Sequence, residues 1–384
     1  MLIQKGADIN AQGGRYGNAL QAASVEGHVK TAEMLIEKGA DVNGQGGLYG
    51  NALEAASARG HLEIAEMLIQ KGADINAQGG EYGNALQAAS ARGHLDIAQM
   101  LIQKGADINA QGGVLRNALQ ASSAWGHLEI AEMLIQRGAD VNAHGGAYGN
   151  ALQAALESQA ASARGHLEMA EMLILKGADI NAQGGDYGNA LYAASVEEYL
   201  EIAEMLIQRC ANVDAHGGDY GNALEAASAG GHLKLTEMLI QRGADINAHG
   251  GDYGNALEAA SARGYLEVAE TLIQMGADVN AQGGLYGHAL QAASAGGYLE
   301  MAQMLIQKGA DINAQGGEYG NALQAALVGG HLKIAELLIQ KGADINTQGE
   351  RYGNALQVAL AGGHLQLAEM LIQRGADINA KEGR

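Results

Sequence analysis

The sequence has no proline, no phenylalanine, one tryptophan and one cysteine, Cys210, and aromatics make up only 4% of its 384 residues. Large aromatics anchor most globular cores and enzyme pockets, so their scarcity points away from both. A single cysteine excludes an internal disulfide framework and fits a reducing, intracellular compartment, cytoplasm or nucleus. No apolar run is long enough to span a bilayer, and the opening Met1-Leu2-Ile3-Gln4-Lys5-Gly6 is too briefly apolar for a signal peptide. Cations are scarce too: 23 Lys and Arg stand against 43 Asp and Glu, a net charge of −20. Nucleic-acid binding needs Lys and Arg to meet phosphates, and anionic membranes attract the same residues. Both are disfavoured, which leaves a protein partner of basic or mixed charge. A Gly-x-x-x-x-Gly-Lys-Ser/Thr phosphate loop is also missing.

What is present is a repeat. Tyrosine recurs at Tyr16, Tyr49, Tyr82, Tyr148, Tyr187, Tyr220, Tyr253, Tyr286, Tyr319 and Tyr352, with Leu115 in the one empty slot. The step is 33 residues, as from Tyr49 to Tyr82, except for 39 from Tyr148 to Tyr187. Eleven units over 12–384 result, with six extra residues within 153–162, and 1–11 reads as the remnant of a preceding unit.

One unit can be read physically. Gly79 and Gly80 supply a turn. Asn84 is an N-cap for a first helix, Ala85 to Arg92, which Gly93 ends. His94 opens a second helix, Leu95 to Lys104, with a polar stripe at Asp96, Gln99 and Gln103. Gly105 stops it, and Ala106-Asp107-Ile108-Asn109 leads to the next turn. Both helices are shorter than the ~12–15 residues an isolated helix needs in water, so units must stack to bury their apolar faces.

A 33-residue helix–turn–helix with Gly60-His61 between its helices and Gly72-Ala73-Asp74-Ile75-Asn76-Ala77 after them resembles the ankyrin repeat. The resemblance spans the chain and implies an all-α solenoid of stacked helix pairs with turn or hairpin loops. One departure is systematic: the family opens its first helix with Thr-Pro-Leu-His, this chain with Asn-Ala-Leu-Gln, as at Asn18-Ala19-Leu20-Gln21. With Tyr-Gly ahead of the Asn, the variant is similar to the arrays of fungal NACHT-ankyrin, NOD-like proteins.

Departures from the repeat carry further expectations. Met1 to Asp8 copies part of a second helix, and Leu365, Leu367, Leu371 and Ile372 repeat the interior pattern without a polar cap. The chain therefore reads as a segment of a longer array whose open ends can self-associate. The extra residues near Gln153 to Ser162 predict a bulge. Glu198 and Cys210 replace turn glycines, at roughly 1–2 kcal/mol each if the backbone stays left-handed, so 147–215 is expected to be soft.

Candidate chemistry is thin. His28, His61, His94, His127, His166, His232, His331 and His364 share one column, but packed helices sit about 8–10 Å apart and a metal needs ligands at about 2.0–2.1 Å. Tyr199, Tyr265 and Tyr298 fill the same slot, which suits packing. The recurring Gly-Gly-x-Tyr-Gly stretches read as turns, and the serine column from Ser24 to Ser294 as small-residue packing. No catalytic, cofactor or metal residue is singled out, and an enzyme is not expected.

The informative positions are those where the copies disagree. One column precedes the tyrosine at the loop tip: Arg15, Leu48, Glu81, Val114, Ala147, Asp186, Asp219, Asp252, Leu285, Glu318 and Arg351. A second closes the first helix and includes Arg59, Arg92, Trp125, Arg164 and Arg263. A third follows the leucine of the first helix and includes Tyr192 among glutamines and glutamates. The family resemblance implies that loop tips and first helices line a concave, partner-binding face. The expected contact residues are Arg15, Arg59, Glu81, Arg92, Trp125, Arg164, Asp186, Tyr192, Asp219, Asp252, Arg263, Glu318 and Arg351. The expected function is a sensing or scaffolding array within a larger protein. The alternatives are a structural spacer and a regulatory region of an enzyme whose catalytic domain lies elsewhere.

Overall fold

A computed structural model describes residues 8–157, 163–347 and 353–378. These residues form 22 helices in consecutive pairs and no strand. Two compact units divide the chain, Met1–Ala190 and Leu191–Arg384, and each is a stack of helix pairs in sequence order.

The unit read above shows why these residues fold this way. Its first helix is Ala85–Arg92, with the Asn84 side chain accepting from the Gln87 N–H at 2.9 Å. Seven of its eight residues are buried, among them Ala88 and Ala89 with no exposed surface. Small side chains let such helices pack on all sides. The second helix, Leu95–Gln103, stops one residue short of Lys104 and buries only Ile97, Ala98, Met100 and Leu101. One helix is therefore core and the other amphipathic cover.

Glycine is required where units touch. Gly60 has φ +80°, and a Cβ there would lie 2.7 Å from the His94 ring of the next unit. The Gly-His pair thus works between units: the glycine of one makes room for the histidine of the next. Gly113 has φ +60°, and its Cβ would lie 2.2 Å from the Tyr82 carbonyl oxygen. Successive loops pack backbone on backbone.

Asparagines stitch these loops together. Asn76 Oδ1 accepts from the Asp107 N–H at 2.8 Å, and its Nδ2 donates to Gly105 O at 3.4 Å. Asn109 repeats this with Asp140 and Gly138, at 2.9 and 3.1 Å. Within the loop, Asp107 Oδ1 accepts from the Asn109 N–H at 3.0 Å. That explains the Ala-Asp-Ile-Asn run: the Asp folds the turn and the Asn reaches the neighbouring unit.

The irregular positions behave unequally. Glu198 and Cys210 do adopt left-handed backbone, φ 60° and 68°, and Arg116 joins them at φ 61°. Arg116 stands where other units have glycine after the tyrosine, a substitution that sequence reading passed over. Most of the expected bulge falls on 158–162, outside the described residues. Beyond it the second helix, Ala163–Leu175, has 13 residues where its counterparts have nine. His166 therefore lies inside a helix, 1% exposed, with Nδ1 on Ala155 O, instead of preceding a helix like the rest of its column.

Candidate protein-binding surface

The loop tips are tied into a ladder by their own backbone. The N–H groups of Leu48, Glu81 and Val114 each donate to the preceding tip, Arg15 O, Leu48 O and Glu81 O, at 2.9, 3.0 and 3.1 Å. In the second compact unit Asp252, Leu285 and Glu318 donate to Asp219 O, Asp252 O and Leu285 O at 2.9, 2.9 and 2.8 Å. Asp186 donates to Ala147 O at 2.6 Å. Side chains at the tips thus rise from a fixed backbone, and Arg15, Glu81, Asp186, Asp219, Asp252 and Glu318 are all exposed. So are the apolar tips Val114 and Leu285, at 61% and 49%.

Behind the tips runs a stack of tyrosine rings. Tyr49 and Tyr82 stack at 6.3 Å between centroids; Tyr220, Tyr253, Tyr286 and Tyr319 follow one another at 5.8, 6.3 and 5.9 Å. Residues at the end of the first helix lean on this stack. Arg92 Nε donates to the Tyr82 hydroxyl at 2.8 Å, with its guanidinium 5.6 Å from that ring centroid. Arg263 does the same with Tyr253, at 2.9 and 5.8 Å. In the first unit the Tyr16 hydroxyl donates instead to Glu26 Oε1 at 3.1 Å. Trp125 replaces the arginine one step along the column from Arg92, shortens its helix to Ala118–Ala124, and is 44% exposed. Arg59 is exposed and has no hydrogen-bond or ion-pair partner among the described residues.

The third column is not part of this surface. Tyr192 is only 2% exposed, and its hydroxyl accepts from the Tyr220 N–H at 2.9 Å. It offers no surface to a partner, and the expectation that placed it in the contact set is corrected. Its column mates are internal as well. Gln87 is 1% exposed, and its Nε2 donates to the carbonyls of Ala110, Gly112 and Arg116 at 3.2, 3.3 and 2.6 Å. Gln21 and Gln291 do likewise in their own units. These amides hold the next loop in place. The capping-box spacing of Asn-Ala-Leu-Gln was the available sequence signal. Arg164 falls in the helix Ala163–Leu175, but its side chain is outside the described residues, and so is Arg351 altogether.

Three glutamates stand in place of these glutamines. Glu54, Glu225 and Glu258 have no exposed surface. Burial pushes their carboxyls up from 4.5 to about 9, about 9 and about 8 respectively. The backbone N–H groups of Tyr286 and Gly287, at 3.2 and 3.1 Å from Glu258 Oε1, pull the other way without winning.

The histidine column is structural by geometry. His61, His94, His127, His232 and His331 each place Nε2 at 3.1–3.3 Å from a carbonyl at the end of the previous first helix, as His94 does at Ala58 O. The carbonyl can only accept, so Nε2 carries the proton. Burial lowers the His94 and His127 pKa values further.

Models of ankyrin repeats match residues 1–79, 55–145, 158–250, 257–306 and 289–382. The chain belongs to the ankyrin-repeat family. Ankyrin repeats are generally protein–protein interaction modules and typically non-catalytic, and the paired helices, stitched loops and exposed tips of this ankyrin array fit that role. A search of curated proteins finds no match. Among the described residues, no helix of the array is long and apolar enough to cross a membrane.

Proposed function

We propose that this ankyrin array binds a protein partner, of mixed charge along its length, through the face built by the loop tips and the ends of the first helices. The observation that carries this reading is the tip ladder: the backbone is held rung by rung while the side chains change from Arg15 to Leu48 to Glu81 to Val114. A fixed scaffold with varied, exposed side chains is the usual form of a recognition surface. The array then serves as the sensing or scaffolding segment of a larger intracellular protein, in cytoplasm or nucleus, of the NACHT-ankyrin kind. Self-association through the helix pair Ala355–Ala361 and Leu365–Gln373, where Leu360 and Leu365 are 54% and 71% exposed, belongs to the same reading.

The test is affinity capture compared across variants. Val114→Lys with Trp125→Ala in one unit, and Leu285→Lys with Asp252→Lys in the other, alter the tip face. Glu66→Lys alters an exposed position on a second helix. Proteins retained by the wild type and by Glu66→Lys are expected to be lost from one or both tip-face variants. Identical capture by all forms would favour a spacer with no specific ligand.

A further inference from the structure

We propose that the groove between Arg59 and Arg92 seats a carboxylate side chain of an acidic peptide segment; this rests on the protein-binding reading above. An open cavity of about 490 Å³ is lined by Val25, Glu26, Ala58, Arg59, His61, Arg92 and His94. It crosses three successive units, at the ends of the helices Ala19–Glu26, Ala52–Arg59 and Ala85–Arg92.

The charge in the groove selects the ligand. A guanidinium carries five N–H donors. Arg92 gives one of them to the Tyr82 hydroxyl, which, with the ring contact, holds the group in place. Arg59 gives none to the described residues. The two histidines add no charge near neutral pH: each holds its Nε2 proton on a carbonyl, and burial lowers the His94 pKa. Glu26 supplies one negative charge, already facing the Tyr16 hydroxyl. Two guanidiniums against one carboxylate leave a net charge of +1, the complement of a single carboxylate rather than of a doubly charged phosphate. Forked N–H pairs fit carboxylate geometry. On a chain of net charge −20, this is a local reversal of sign.

Trp125 extends the groove. It occupies the next place in the column Glu26, Arg59, Arg92, is 44% exposed, and is the only tryptophan in the chain. An apolar residue beside the acidic one would lie against it. Arg263 provides the contrast, because it makes the same tyrosine contact but stands among the acidic tips Asp219 and Asp252.

Trp125 also reports on binding. Hexaglutamate, which has no chromophore, is titrated into the full chain while Trp125 emission is followed at moderate salt, with hexalysine and inorganic phosphate as comparison probes. A saturable change with hexaglutamate alone is expected. Arg59→Ala with Arg92→Ala should weaken it about tenfold or more, and Arg263→Ala should leave it unchanged. All these arginines are exposed, and circular dichroism confirms that the variants are folded. No response to hexaglutamate, equal affinity in the double variant, or equal saturation by phosphate would overturn the proposal. If hexaglutamate fails while Val114→Lys with Trp125→Ala still loses captured proteins, the acidic-peptide assignment falls and the binding face stands.

Discussion

The helices Ala85–Arg92 and Ala256–Arg263 are identical except at one buried position, Gln87 against Glu258. Their contacts diverge there. Gln87 donates to three carbonyls of the following loop. Glu258 turns one oxygen to the N–H groups of Tyr286 and Gly287, and leaves Oε2 buried without a partner. The amide is neutral and satisfies acceptors that are already in place. The carboxyl can remain there at low cost only if it keeps its proton, since an unpaired buried charge is expensive. A one-atom-type change thus makes three otherwise ordinary units sensitive to pH.

The largest expected effect follows from that difference. An unfolded glutamate ionises near 4.5, whereas the folded carboxyls at positions 54, 225 and 258 hold their protons to about 8 or 9. Between those values the unfolded chain has released protons that the folded chain retains. Stability is therefore full below about pH 4.5 and falls as pH rises toward the folded values. The slope is about 1.4 kcal/mol per pH unit for each glutamate, or about 3 kcal/mol each by pH 7. Urea unfolding of the wild type should show a lower midpoint at pH 7.5 than at pH 5. The triple variant Glu54→Gln, Glu225→Gln, Glu258→Gln should lose most of that drop. Parallel midpoints for the two proteins across this range would end the comparison.

A smaller effect is expected where backbone, not charge, is out of place. Cys210 occupies a left-handed position that glycine fills in the other units, as Gly105 does at φ 95°. Cys210→Gly removes a steric cost of roughly 1–2 kcal/mol but adds freedom to the unfolded chain, for a net gain of about 1 kcal/mol. Hydrogen exchange should slow across the helix Leu200–Gln208 and leave Ala85–Arg92 unchanged. Exchange that is unaltered at Leu200–Gln208 would place any softness there elsewhere than in the turn.

The units and their helices could be read in the sequence because each is set by local signals. Asn84 caps, Gly93 and Gly105 stop, and small apolar residues fill one helix while a polar stripe marks the other. The tip column was visible because its copies differ. The third column was misread for a physical reason. Gln and Glu ordinarily mark solvent-facing helix positions, and nothing in one unit shows that three carbonyls from the next converge on Gln87. The same limit hid the Asn76 and Asn109 bridges and the place of His94 against Gly60, since each is made between units. Arg116 escaped notice because its neighbour Leu115 drew attention first, while the left-handed backbone lies at the residue after.

The smallest effect sharpens the opening comparison. The two helices end in arginines that make matching contacts, Arg92 on Tyr82 and Arg263 on Tyr253. An exposed cation–ring contact contributes about 0.5–1 kcal/mol, so Arg92→Ala and Arg263→Ala should each lower stability by that much at pH 5. The loss from Arg92→Ala should stay constant with pH, because Gln87 does not titrate. If the Glu258 carboxyl stays neutral to about pH 8, the loss from Arg263→Ala should be equally flat between pH 5 and pH 7. A loss from Arg263→Ala that grows over that interval would mean that the arginine supports an ionised Glu258. The difference between the helices would then lie in charge pairing at their ends and not in a proton held inside.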